Sequence, residues 1–276
     1  MHLNCLPSSP DDTSSFIMPE VDRFLQNYKL DFKIIHVGKH SIIYAGQKLD
    51  TERKVIVKSI HNSKSHQQVK EALVLKTLKC VPGVITYLDH FHVRKNTMLL
   101  VMEHFGHGTL SDFIHINGFV SEQTAKIIFK QLVNTIRDCR NMNVVHKKIQ
   151  CSNILLNFNT LKLKLIDFQS TTYPHNRKIK LKMSTAYAPP EYFHCNTINT
   201  DGLLVWRCGI ILYNLLYGKK PFNSAFDIVN TPCALKKSNH SLDANIFIGW
   251  CLLKKPIHRM KLCEMLCHPW LTNVWL

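Results

Sequence analysis

The sequence predicts an α+β chain in two unequal parts, a small β-rich part followed by a larger, mainly helical one. Between about Tyr28 and Glu103, short apolar runs rich in β-branched residues alternate with turn residues, the pattern of antiparallel meanders. After Glu103 the apolar residues fall instead at the 3.6-residue period of helices with one buried face. With 276 residues, 45% of them apolar, the chain is long enough to bury a sizeable core in one or two domains.

Each element has its own signal. Residues 1 to about 20 are polar and turn-rich (Pro7, Ser8, Ser9, Pro10, Asp11, Asp12, Ser14, Ser15), and 1–27 is expected to be a flexible leader. Strands are expected at Phe32 to Val37, Ile42 to Ala45, Val55 to Ile60, Val84 to Leu88 and Met98 to Met102. One stretch breaks the run. Gln67 to Leu78 places Val69, Leu73, Leu75 and Leu78 at roughly helical spacing. The join near Glu103 to Gly108 carries Gly106 and Gly108, which suit a hinge. Ser121 is a good N-cap with Glu122 in the first turn, and Ala125, Ile128, Phe129, Leu132 and Ile136 make the apolar stripe of the helix that follows. Ile154 to Leu156 and the strictly alternating Leu161 to Leu165 predict two short strands around a turn. From about Leu203 the rest is mostly helical.

Charge and composition exclude several classes. Lys plus Arg minus Asp plus Glu is 35 − 19 = +16, a balance that favours acidic partners. No apolar stretch approaches the ~18 residues of a membrane span. Met1 to Pro10 has no basic segment followed by an apolar run, so no signal peptide is expected. The ten cysteines are scattered without a C-x-x-C pair, which predicts reduced thiols in the cytoplasm or nucleus. The sixteen histidines show no zinc-type spacing, and His104 and His107 are expected as polar surface residues.

The chemistry lies in an ordered set of residues. Lys58 ends the run Val55-Ile56-Val57-Lys58, and Glu71 follows on the interrupting helix. His146-Lys147-Lys148-Ile149-Gln150-Cys151-Ser152-Asn153 precedes the short strand pair, Asp167-Phe168-Gln169 ends it, and Pro189-Pro190-Glu191 comes after. Trp206 and Gly209 sit in an apolar helix, and Arg259 lies near the end. Singly these are weak signals. In this order and spacing they are the signature residues of protein kinases.

The chain resembles a serine/threonine protein kinase, and most closely the Pim kinases, over about residues 28 to 276. The likeness is densest in Val145 to Phe168, Ala188 to Glu191, Val205-Trp206, Gly209 to Tyr213, Lys219 to Phe222 and His268-Pro269-Trp270. Leu204 stands where most kinases have Asp, and the Pim kinases also lack Asp there. The resemblance implies a bilobal kinase fold, with an N-lobe over 28–103 and a C-lobe over 104–276. It implies ATP, bound through Gly38, Lys58, Glu71, Met102 and Glu103, and Mg²⁺, held by Asn153 and Asp167. The back wall of the adenine pocket falls to Val101 or Met102. Glu191 and Arg259 match a pair that ties the activation segment to the helical lobe.

The departures matter more than the matches. Lys148 replaces the catalytic-loop Asp that accepts the substrate hydroxyl proton. A lysine protonated at neutral pH takes no proton and reverses the local charge. General-base help is worth ~10²–10⁴ in rate, so its loss is a deep cut and not an absolute barrier. Gln150 replaces the Lys that contacts the transferring phosphate, and Lys148 is a candidate to supply that charge from a shifted position. Of the three loop glycines only Gly38 survives, with His36 and Ser41 in the other places, and a plain β-turn fits the segment nearly as well. Gln169 replaces the D-F-G glycine and removes backbone freedom. Arg177, Lys178, Lys180 and Lys182 make the following segment basic, with Ser184, Thr185 and Tyr187 as its candidate phosphosites.

Three functions follow. The first is a pseudokinase that binds ATP and regulates a protein partner. The second is an impaired or unconventional Ser/Thr kinase acting on a protein substrate. The third is a polyanion-binding module, although no nucleic-acid motif is present and the basic residues are not interleaved with aromatics.

Overall fold

A computed structural model of the chain describes residues 14–61, 65–94, 96–172, 178–179, 185–195, 198–235 and 240–272. The chain divides into two compact units, one built from the residues up to Lys76 with Thr86–His104, the other from Thr77–Ile85 with Phe105 onward.

In the first unit helix α1 (Ser14–Asn27) leads into strands β1 (Tyr28–Val37), β2 (Ser41–Lys48) and β3 (Lys54–His61), then helix α2 (Ser65–Thr77) and strands β4 (Tyr87–Arg94) and β5 (Thr97–Glu103). The strands form one antiparallel sheet in the order β1-β2-β3-β5-β4. Successive side chains alternate between its two faces. Val55, Val57, Leu99, Val101 and Phe91 bury one face against Phe24 and Tyr28. The rings of Phe24, Tyr28 and Phe91 lie 5.3–5.9 Å apart, stacked or edge-on. Such pairs add about 0.5–1.5 kcal/mol each beyond their burial. Arg23 adds a bond to the His90 carbonyl at 3.0 Å and lies 4.6 Å from the centre of the Phe91 ring.

Two expectations change here. The leader expected over 1–27 is a helix from Ser14 onward, because Phe24, with Tyr28 one turn on at the start of β1, finds Phe91 to pack on. Residues 1–13 lie outside the described residues. The strand expected at Val84 to Leu88 begins at Tyr87 instead. The segment Thr77–Ile85 belongs to the second unit, where Ile85 N–H donates to Leu165 O and Leu165 N–H to Gly83 O, at 3.1 and 2.8 Å.

The second unit opens with strand β6 (Gly108–Thr109) and helices α3 (Leu110–Asn117) and α4 (Glu122–Asn141). Strands β7 (Val145–His146), β8 (Ile154–Leu156), β9 (Leu163–Leu165), β10 (Thr171–Thr172), β11 (Lys178–Ile179) and β12 (Ile198–Asn199) follow, with helix α5 (Glu191–His194) before the last. Helices α6 (Thr200–Tyr217), α7 (Ala225–Asn230), α8 (Leu242–Cys251) and α9 (Pro269–Thr272) complete it. Ser121 caps α4 as expected, accepting from Thr124 N–H at 3.1 Å. The expected stripe, Ala125, Ile128, Phe129, Leu132 and Ile136, is buried along its length. The strand expected from Leu161 starts at Leu163, since Leu161 turns the chain at φ 55° with its N–H on Asn157 O. Helix α6 is the buried centre, and α8 lies directly against it at Gly209, where a Cβ would fall 2.7 Å from that of Cys251.

Gly106 is required for a close approach. Its φ is +76°, and a Cβ there would lie 2.7 Å from the Leu156 carbonyl oxygen. The glycine expected as a hinge residue is thus seated on β8. No helix among the described residues is long and apolar enough to cross a membrane.

Candidate active site

In the first unit, the pairing of β3 with β5 sets Lys58 directly opposite Leu100. Directly opposed residues share a face, so Lys58, Leu100 and Met102 point to one side of the sheet, while Val57 and Val101 point to the other with Phe24 and Phe91. That alternation puts Met102, and not Val101, on the Lys58 face of the sheet. Helix α2 brings Glu71 to the same side as Lys58. Lys58 Nζ donates to both carboxylate oxygens of Glu71, at 3.0 and 2.7 Å, and the two side chains are 8% and 1% exposed. This is the expected pair, buried and bidentate.

The neighbouring calls divide. Gly38 N–H donates to Ser41 O at 2.8 Å and closes the turn between β1 and β2. Its φ is not positive, so a plain turn describes the backbone there; His36 is exposed. Glu103 turns its carboxylate to Thr86, accepting from the N–H at 2.8 Å and the hydroxyl at 2.5 Å.

In the second unit two short pairings hold two loops side by side. The β8–β9 hairpin sets Ile154 opposite Leu165, and the β7–β10 pair sets His146 opposite Thr171. Residues 147–153 and 166–170 are the links between them. A closed ring of hydrogen bonds joins the links. Asn153 Nδ2 donates to Lys148 O at 2.8 Å, and Lys148 N–H donates to His146 Nδ1 at 3.2 Å. His146 Nε2–H donates to Ile166 O at 3.0 Å, and Ile166 N–H returns to Asn153 O at 2.9 Å. These partners set the tautomer: Nδ1 accepts and Nε2 carries the hydrogen. Burial holds His146 down, at about 4, so the ring is neutral at pH 7. Its ring and that of the fully buried Phe168 meet in a T-shape, with centroids 4.7 Å apart.

On that scaffold Lys148 Nζ lies 2.7 Å from Asp167 Oδ2, with the side chains 47% and 21% exposed. Asp167 takes the left-handed conformation, φ 65° and ψ 62°. Gln169 does not, so the lost glycine is not missed in this conformation. Gln150 donates to Ser152 Oγ at 2.9 Å, across its own turn. Of the two expected metal ligands, Asn153 is oriented by its Nδ2, which donates to the Lys148 carbonyl and leaves Oδ1 as the atom that could ligate a cation, and the Asp167 carboxylate carries the Lys148 ammonium. An ammonium and a divalent cation on one carboxylate repel each other, so the Lys148 contact competes with Mg²⁺ for Asp167. Among the described residues no cluster of His, Cys, Asp or Glu is arranged to hold a metal ion.

The supports include one residue the sequence reading did not single out, Arg207, beside two that it named. Leu204 is buried at its apolar position, and Arg207, one turn on, donates to Ile149 O at 3.0 Å from within α6. Burial lowers its guanidinium to about 10. The signal was a lone charge in an apolar helix. Glu122, expected only as a first-turn acid, accepts from Ser241 N–H and Oγ at 2.9 and 2.6 Å and from Trp270 Nε1 at 2.7 Å. Burial pushes its carboxyl up, yet these donors together hold it below the usual range. The Glu191–Arg259 pair forms as expected, with contacts of 2.8 and 2.6 Å. Arg177, Lys180, Lys182 and Ser184 lie outside the described residues, and Lys178 and Thr185 are described in backbone only.

Comparison with known proteins agrees with this geometry. The protein kinase domain model matches residues 31–271. The chain is 29% identical to the serine/threonine-protein kinase pim-2 of Danio rerio, over 91% of this chain and 87% of that protein. It is 28% identical to the serine/threonine-protein kinase prk-2 of Caenorhabditis elegans, over 91% of this chain and 59% of that one. A SNF1-related kinase catalytic subunit of Arabidopsis thaliana, KIN12, is 26% identical over 95% of this chain and 55% of its own length. The chain thus spans most of the fish protein and little more than half of the worm and plant proteins. With the ordered signature residues, the five-stranded sheet, the Lys58–Glu71 pair and the helical second unit, the chain belongs to the protein kinase family and is a Ser/Thr protein-kinase-like protein.

Proposed function

We propose that this chain is a pseudokinase: a member of the kinase family that binds nucleotide, transfers no phosphate at a useful rate, and regulates a protein partner by binding it. The observation that carries this is the Lys148 ammonium, 2.7 Å from Asp167. A base at position 148 would have to take the substrate proton as the nucleophile forms. Lysine in an ion pair offers three N–H donors and no lone pair. The same contact engages the carboxylate that the family uses beside the transferring phosphate. The net charge of +16 favours an acidic partner, and reduced thiols suit the cytoplasm or nucleus.

The intact Lys58–Glu71 pair favours a second reading, a slow Ser/Thr kinase that works by positioning alone. Transfer from γ-labelled ATP, with autophosphorylation included, separates the two. The wild type runs beside Asp167→Ala and Lys58→Met. Equal background in all three supports the pseudokinase. Label in the wild type that both substitutions abolish makes the chain an enzyme.

A further inference from the structure

We propose that the Lys148 ammonium, seated on Asp167, replaces the divalent cation of this site, so that the chain binds a nucleoside triphosphate without a metal ion. The inference rests on the nucleotide-binding part of the reading above and goes beyond it.

The charge count leads to it. A family member with Asp at position 148 brings two carboxylates to these loops, a charge of −2 that repels a polyphosphate until a divalent cation intervenes. Here the same two positions hold Lys148 and Asp167 and sum to zero. The polyphosphate meets no anionic barrier, and the ammonium that neutralises Asp167 has further N–H donors for a phosphate oxygen. A metal ion entering would have to displace that ammonium and then sit beside it.

The placement is built. Both backbone polar groups of Lys148 are engaged, the N–H on His146 Nδ1 and the carbonyl by Asn153 Nδ2. Ile166, next to Asp167, closes the ring through Asn153 O and His146 Nε2. The side chain therefore leaves a fixed root opposite a fixed carboxylate. Its half-exposure leaves the ammonium accessible to a ligand.

The test is the affinity for ATP, by calorimetry, in excess EDTA and in millimolar Mg²⁺. For the wild type the two dissociation constants agree within about threefold, well inside the tenfold that 1.4 kcal/mol represents. Lys148→Asp restores the second carboxylate, and its ATP binding tightens by at least about tenfold when Mg²⁺ is added. Lys148→Met, which keeps the stem and removes the charge, weakens binding in EDTA by about tenfold. Ligand-free melting reports whether each variant is folded; should Lys148→Asp unfold, Lys148→Met decides. Wild-type binding that tightens tenfold with Mg²⁺ overturns the inference, as does a Lys148→Met protein that binds as well as the wild type in EDTA. Binding in neither solution overturns it together with the nucleotide part of the reading on which it rests. Label transfer in the assay above would sink the pseudokinase reading by a separate result.

Discussion

Two lysine–carboxylate pairs, each 2.7 Å at closest approach, sit in different units of this chain under opposite conditions. Lys58 and Glu71 are almost wholly buried, while Lys148 and Asp167 are partly in water. The buried pair is committed. Each charge has left water, and neither tolerates loss of the other. The exposed pair is loosely bound, because solvent screens the attraction and hydrates either partner when it leaves. The pair that matches the family is the costly one to break, and the pair that departs from it is the inexpensive one. Burial makes the first pair the less tolerant of a change of side chain, and exposure the second the more tolerant.

The largest effect should come from the buried pair. Lys58→Met leaves Glu71 charged in the interior, and chemical unfolding should show a loss of about 3–5 kcal/mol. Lys58→Met combined with Glu71→Leu should recover most of it. A single substitution that costs less than the exposed pair would break the comparison. Next comes the histidine beneath the exposed pair. Its pKa lies near 4 in the folded chain, below the usual 6.5, so the unfolded chain binds the extra proton first as the pH falls. Stability held above pH 6.5 should therefore decline between about 6.5 and 4, by on the order of 3 kcal/mol. His146→Gln, neutral throughout, should remove that part of the slope; an unchanged slope would place the titration elsewhere. Lys148→Met should change stability by no more than about 1 kcal/mol in the same unfolding assay. The smallest effect sharpens the contrast. Near 1 M salt, where the screening length is about 3 Å, the Lys148→Met difference should vanish while the Lys58→Met loss persists.

What the sequence disclosed follows the same division between local and distant causes. Helix α4 and its cap were legible because period and capping chemistry lie within one stretch. The β5 strand was legible for the same reason, and placing Met102 rather than Val101 on the Lys58 face needed only the register with β3. Helix α1 was missed because Phe24 and Tyr28 are sparse among polar residues and gain their meaning from Phe91, far along the chain. That Thr77–Ile85 groups with the second unit was not legible, because its bonds run to β9. At the site, the residue types and their order identified Lys58 with Glu71. The consequence of Lys148 was only half legible. Loss of a base followed from the residue type, but capture of Asp167, nineteen positions away, depends on two strand pairings that no local pattern shows.

The ring joining Asn153, Lys148, His146 and Ile166 has a wider consequence. At position 148 it uses only the main-chain N–H and carbonyl, groups that every amino acid except proline supplies. The architecture is therefore indifferent to what protrudes there. A lineage carrying such a socket can exchange an acid for a base there without redesigning the surrounding loops. Reversal is equally open: the ring's hydrogen bonds ask nothing of the side chain at position 148, so an acid there meets the same main-chain partners.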